Sequence, residues 1–177
     1  NLATVAGVAA GTYTINVKDA NNCIQTLAAT IPNLSGPSAS IPTKVNVSCN
    51  GGNNGAATVV GAGGTTPYNY LWNNGQVTPT ATNLLNGVYT VSVTDAAGCV
   101  ASASVNITQP SALTVTIAPS NPLCFGATNG SGIAAALGGT PSYTYAWTGG
   151  GGSSATSSPL GAGSYAVNVT DANGCVK

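Results

Sequence analysis

The stretch GVYTVSVTDAAGC, Gly87–Cys99, decides how the rest of this chain is read. Tyr89, Val91 and Val93 alternate with Thr90, Ser92 and Thr94, the period of two of a β-strand with one buried face. The strand runs into Asp-Ala-Ala-Gly. Aspartate hydrogen-bonds the backbone ahead of it and glycine accepts positive φ, so the segment reads as a tight hairpin turn. Beyond Cys99 a second run alternates, with Ala101, Ala103, Val105 and Ile107 on one face and Ser102, Ser104 and Asn106 on the other. The line is written twice more, as GTYTINVKDANNC from Gly11 to Cys23 and GSYAVNVTDANGC from Gly163 to Cys175, each copy starting 76 residues after the last. In the first copy Asn22 stands in the glycine's place, and asparagine is the next best residue for a left-handed backbone.

A fixed period marks a repeat architecture. The rest of the unit is present as CNGGNNGAATVVGAGGTTPYNYLW, Cys49–Trp72, and CFGATNGSGIAAALGGTPSYTYAW, Cys124–Trp147, here 75 residues apart. One residue is therefore inserted between the second tryptophan and the Gly-x-Tyr that follows it. The period divides the chain into 1–32, matching the second half of a unit, 33–110, a complete unit, and 111–177, a unit that stops just after its second cysteine. Such boundaries are those expected of a window from a longer array.

Charged residues make up 3% of the chain, against about 25% in an ordinary protein. The side-chain charges are Lys18, Lys44, Lys177, Asp19, Asp95 and Asp171, and they cancel. Nucleic-acid binding needs a basic footprint, and three lysines do not make one. No apolar run approaches the length needed to cross a bilayer, no basic amphipathic segment suits a membrane surface, and NLATVAGVAAGTY has no positive start of a signal peptide. The partners expected exclude nucleic acid and membrane insertion. With 43% apolar residues the chain is not composed like a disordered one.

The expected fold class is all-β: tandem immunoglobulin-like β-sandwich repeats of about 76 residues, since short strands recur between Gly, Pro and Asn turns and no capped 3.6-residue period is sustained. GAATVVGAGG and SGIAAALGG read as strands ending in Gly-Gly turns, PYNYLW and SYTYAW as the strands that follow, and TPTATNLLNG as a further strand. Tyr13, Tyr89 and Tyr165 open their strands as the tyrosine of an immunoglobulin-type corner does, and Trp72 and Trp147 stand where a core tryptophan would. All five are expected in the core. Tyr68, Tyr70 and Trp72, or Tyr143, Tyr145 and Trp147, could instead form a sugar-stacking platform.

A unit this small buries only roughly 60% of its unfolded surface and usually needs a staple. The five cysteines fall at the same two places in the unit, and are expected to form a disulfide framework of an extracellular protein. Two pairings respect the period. Within units, Cys49–Cys99 and Cys124–Cys175 would form and Cys23 would stay unpaired. Across units, Cys23–Cys49 and Cys99–Cys124 would form and Cys175 would stay unpaired. The first makes each unit self-sufficient and is the one expected.

An enzyme needs an acid, base, nucleophile or metal in a positioned constellation. The chain has no His and no Glu. Asp19, Asp95 and Asp171, one to a unit, are expected to cap turns; one carboxylate is too few for calcium, and no C-x-x-C pair suggests zinc. No Lys-Ser/Thr or helix follows Gly149–Gly152, so it is no phosphate loop. The chain is expected to be no enzyme and to hold no cofactor or metal. The sequons at Asn106 and Asn168 fall on strands and carry little weight.

GGTTPYNYLW, GVYTVSVTDAAGC and ASVNITQP resemble the SprB-type repeat of Bacteroidota cell-surface proteins, related to the polycystic-kidney-disease-type immunoglobulin-like repeats. The resemblance extends over nearly all of the chain. Residues 33–48 depart from it, lacking the alternating strand of Ala112–Pro119, which leaves the first strand of that unit undefined. The resemblance implies a large secreted or surface-anchored protein of many tandem repeats, of the kind associated with gliding adhesins and type IX export. The expected role is a structural segment of an extracellular stalk, filament or sheath, or of an adhesin, with glycan or ligand binding through exposed Tyr and Trp as the alternative. The expected partners are neighbouring repeats of the same chain, like subunits in a filament, and surface glycans. ASASVNI and LTVTIA offer uncharged strand edges, so the segment is expected to lean on neighbours rather than stand as a lone monomer. Its termini are expected at opposite ends of a rod, within a continuous array rather than among cut subunits.

Overall fold

A computed structural model describes residues 4–149 and 151–177; Asn1–Ala3 of the leading segment and Gly150 of the tetraglycine lie outside the described residues. The fold is all-β. Strands β1 (Gly11–Lys18) and β2 (Ile24–Ile31) form an antiparallel hairpin in which Gly11 faces Ile31 and Lys18 faces Ile24. Among the described residues no second sheet covers this hairpin. Tyr13, expected in a core, is 37% exposed, and Ile15 and Val17, the counterparts of Val91 and Val93, are exposed as well. The alternation that forms the strand is present, but among the described residues no sheet packs on its apolar face.

Residues 33–110 form a complete sandwich. Strands β3 (Pro37–Val45), β4 (Gly55–Gly63) and β6 (Thr80–Leu84) make one sheet in the order β3-β4-β6. Strands β5 (Asn69–Trp72), β7 (Gly87–Thr94) and β8 (Val100–Ile107) make the other in the order β5-β7-β8. Every pairing is antiparallel. The inward residues of both sheets meet in one core of Val47, Ala57, Val59, Trp72, Ala81, Leu84, Val91, Val93 and Ile107. Trp72 lies at its centre, 1% exposed, and its indole Nε1 donates to the Thr78 carbonyl at 2.9 Å. The stretch that the sequence left undefined does form a strand. Pro37, Ala39 and Ile41 of β3 turn inward, and a register shift between Ser40 and Thr43 places Pro42 at a bulge on the sheet's edge, where a missing N–H breaks no ladder.

Residues 111–177 repeat this plan. Strands β9 (Thr114–Ser120), β10 (Gly130–Leu137) and β12 (Thr156–Leu160) form the sheet β12-β10-β9, and β11 (Thr144–Trp147) pairs with β13 (Val167–Thr170). Trp147 is 9% exposed and donates to the Ser154 carbonyl at 2.9 Å. Where Ile107 seals the first sandwich, the second has an open groove lined by Ile117, Pro122, Leu123, Phe125, Trp147 and Leu160. In all three units the tyrosine that opens the Gly-x-Tyr strand donates its hydroxyl to the carbonyl four residues before it: Tyr13 to Ala9 at 2.7 Å, and Tyr89 to Leu85 and Tyr165 to Gly161 at 3.3 Å each. No helix among the described residues is long and apolar enough to cross a membrane.

Candidate functional site: the junction between repeats

The hairpin turns build the site. In each unit an aspartate Oδ1 accepts backbone N–H groups two and four residues ahead: Asp19 from Asn21 and Cys23 at 2.8 and 2.9 Å, Asp95 from Ala97 and Cys99 at 3.0 and 2.8 Å, and Asp171 from Asn173 and Cys175, both at 2.9 Å. The φ > 0 residue of each turn is Asn22, Gly98 or Gly174, with φ of 70°, 83° and 81°.

Asp95 and Asp171 do a second thing that turn capping does not require. The other carboxylate oxygen of Asp95 accepts the Thr65 N–H at 2.9 Å, and that of Asp171 the Thr140 N–H at 2.8 Å. The hairpin is thereby tied to the Gly-Gly-Thr turn ahead of β5 or β11. Gly64 and Gly139, at φ 62° and 60°, are the glycines of those turns, and a Cβ on either would strike the carboxylate. The sequence carries a signal for this tether, because Gly-Gly-Thr recurs once in each sandwich, as Asp does, at a step of 75 residues against 76; by itself the motif reads only as a turn.

Both carboxylates are buried, at 3% and 5% exposed. The Thr65 N–H foremost holds Asp95 below the ordinary 3.8, against burial, which acts the other way, with further help from the Cys99, Ala97 and Gly98 N–H groups. The Thr140 N–H foremost does the same for Asp171, with help from Cys175 and Asn173. A carboxyl whose folded pKa is depressed adds stability that is complete above its unfolded value and is lost as pH falls through the folded one. The sandwiches are therefore expected to lose thermal stability below about pH 4. Thermal melts from pH 7 to pH 2 check this. The doubly substituted Asp95→Asn, Asp171→Asn chain should melt lower at neutral pH and show a flatter acid limb. An acid limb identical to that of the unsubstituted chain would remove the carboxylates as its cause.

At the junction Cys175 bonds Cys49, across 126 residues of sequence. This corrects the expected within-unit pairs Cys49–Cys99 and Cys124–Cys175, and the across-unit alternative as well. Cys99 and Cys124 are free, as is Cys23. The reason is polar geometry. β7 carries the chain eight residues from Gly87 to Thr94, about 27 Å at 3.4 Å per residue. Cys99 follows the far end, whereas Cys49 lies at the near end beside the entry to β4. The hairpin of the next sandwich is what arrives at that near end.

Hydrogen bonds surround the clip. Asn173 Nδ2 donates to the Ser48 carbonyl at 3.0 Å and to Thr140 Oγ1 at 2.8 Å. The connecting segment is held on both sides. Gln109 Oε1 accepts the Gly51 N–H at 2.8 Å, Asn50 Nδ2 donates to the Pro110 carbonyl at 3.0 Å, and the Ser111 carbonyl accepts the Gly139 N–H at 2.9 Å. Ser48, Gln109, Thr140 and Asn173 were not singled out from sequence, since each acts only through this meeting of poles. The aromatic triads do not form an exposed platform. Tyr68 and Tyr70 pack against the buried core that holds Trp72, and Tyr143 donates to the Gly138 carbonyl at 2.7 Å. Among the described residues no group of three or more His, Cys, Asp or Glu side chains comes together to hold a metal.

The family model of the SprB repeat matches the chain twice, over residues 41–77 and 116–152. Each match takes in the first cysteine of a unit and its tryptophan; the Asp-x-x-x-Cys hairpins lie outside both. No curated protein matches the chain.

Proposed function

Two SprB repeats stand in tandem in this chain, and from that premise we propose that it is a load-bearing segment of an extracellular stalk, filament or sheath on a bacterial surface, of the adhesin type. The observation that carries the reading is the covalent clip Cys49–Cys175, which joins one sandwich to the next rather than closing either on itself. A staple placed between domains fixes one sandwich on the next, and it serves a chain that must hold its axis. A disulfide also suits an oxidising compartment outside the cytosol. The few charges, all at turns, strand edges or the last residue, are those of a spacer rather than a catalyst. The inward Tyr68, Tyr70 and Trp72 support load-bearing use over sugar stacking.

The test is made on the native protein. Antibodies against residues 33–110 are expected to decorate intact, unpermeabilised cells along extended surface structures. Labelling that requires permeabilisation would overturn the proposal.

A further inference from the structure

Load on a folded chain follows the shortest covalent path, and here that path crosses the sulfur bond. Cys49 and Cys175 stand 126 positions apart in sequence with their Cα atoms 5.7 Å apart. Strands β4 to β13 all lie between them; of the strands of the two sandwiches, β3 alone lies outside. Load applied ahead of Cys49 and taken up after Cys175 passes from one sulfur to the other and bypasses everything between. Without the bond it would have to pass through both sandwiches. An extended chain spans about 3.3 Å per residue, so the bond withholds about 420 Å of length.

The two thiols are also built to find each other again. Cys175 sits in a turn whose Asp171 Oδ1 accepts the Cys175 N–H at 2.9 Å. Cys49 sits in a turn in which the Gly52 N–H donates to the Cys49 carbonyl at 3.0 Å and Asn54 Oδ1 accepts the Ser48 N–H at 2.9 Å. Both turns are closed by hydrogen bonds of their own. Cys175 Sγ lies 3.5 Å from the Ser48 carbonyl, the acceptor that Asn173 Nδ2 also uses. A reduced Cys175 therefore has a partner for its S–H beside Cys49. Both cysteines are half-buried rather than sealed in a core, which leaves them open to a small thiol.

We propose that Cys49–Cys175 is a redox-gated length latch. Closed, it withholds the two sandwiches from load. A low-molecular-weight thiol of the glutathione class opens it, and the sandwiches then yield to load and the chain lengthens. When load falls and they refold, the aligned thiols close the latch again with glutathione disulfide as oxidant. The chemistry balances. A glutathione thiolate attacks one sulfur of the pair, forming a mixed disulfide and releasing the other cysteine as a thiolate. A second glutathione thiolate attacks the glutathione sulfur, releasing the remaining cysteine thiolate and glutathione disulfide. Two glutathiones are oxidised and one protein disulfide is reduced to two thiols, the two glutathione protons passing to the cysteine thiolates through buffer. Closing is the reverse.

The latch rests on the load-bearing reading for its use, and its test is separate from surface labelling. The purified 177-residue chain, with Cys49–Cys175 formed, is held by its two ends and stretched one molecule at a time. The oxidised chain is expected to extend by no more than the residues outside the bonded pair allow. With glutathione present, added length of about 420 Å should appear as the sandwiches unfold. Cys49→Ser should show that length without any thiol. After slack and glutathione disulfide, the unsubstituted chain should resist again, with Cys49–Cys175 as the dominant cross-linked peptide by mass spectrometry. Asn173→Ala should slow this closure about three- to tenfold, the effect of one lost hydrogen bond. Circular dichroism matching that of the unsubstituted chain confirms that the variants fold, and the glutathione arm needs no variant. The added length in the oxidised chain, its absence after reduction verified by mass, or closure onto Cys23, Cys99 or Cys124 would overturn the latch. Surface labelling would stand in any of these outcomes.

Discussion

Replacing Trp72 by alanine is expected to unfold the sandwich of residues 33–110 under conditions where the unsubstituted chain is folded. The indole is 1% exposed and sits among Val59, Leu84, Val91, Val93 and Ile107, with its Nε1 bonded to the Thr78 carbonyl. Truncation leaves a cavity between two sheets that are held apart by their other side chains, and such changes cost about 3–5 kcal/mol. Single domains hold only about 5–15 kcal/mol in all. Trp147→Ala should cost less, because that indole is 9% exposed and borders the open groove. The chain has two tryptophans, one in each sandwich, so each variant keeps the other's fluorescence as a local reporter. Urea titration followed by circular dichroism and by Trp147 emission separates the two units. A Trp72→Ala midpoint equal to that of the unsubstituted chain would remove the tryptophan from its place at the centre of the core.

Reduction of Cys49–Cys175 is the second large effect expected. The bond spans 126 residues of sequence, and restricting an unfolded loop of that length is worth about 5 kcal/mol when everything inside it unfolds together. Most of both sandwiches lies inside. The oxidised chain should unfold in urea at a higher midpoint than the reduced chain. Reduction should also uncouple the units, so that Trp72 and Trp147 report separate transitions. A non-reducing peptide map containing Cys49–Cys99 in place of Cys49–Cys175 would sink this assignment, and unchanged midpoints on verified reduction would sink the energetic claim.

Much of the fold was legible because strand alternation is a short-range property. Tyr89, Val91 and Val93 face inward for the same reason that they alternate with Thr90, Ser92 and Thr94, and Asn22 adopts the left-handed backbone that its place in the turn demands. Strand β3 was obscure because its inward residues Pro37, Ala39 and Ile41 are mostly small, and its alternation breaks at the bulge around Pro42. Tyr13 was misread because its sequence matches that of Tyr89 while its surroundings do not. The cysteine pairing failed for a different reason. A strict period marks equivalent cysteines, but it does not say which pole of one unit meets which pole of the next. That depends on strand direction and on the short segment Gln109–Leu113. The tether from Asp95 to Thr65 and from Asp171 to Thr140 was hidden in the same way, since each joins residues about thirty positions apart through the backbone of a turn.

The clip has a topological consequence. Between Cys49 and Cys175 the polypeptide is a closed covalent ring, with the backbone as one path and the sulfur bond as the other. A protease that cuts once anywhere inside the ring, including the segment between the sandwiches, opens the ring without dividing the molecule. Tension across the cut then passes through the sulfur bond to the hairpin of Asp171, and through its carboxylate to Thr140 and the second sandwich. Such a cable survives nicking: cleavage inside the ring leaves its two ends joined through the sulfur bond, and they part only when that bond is reduced as well.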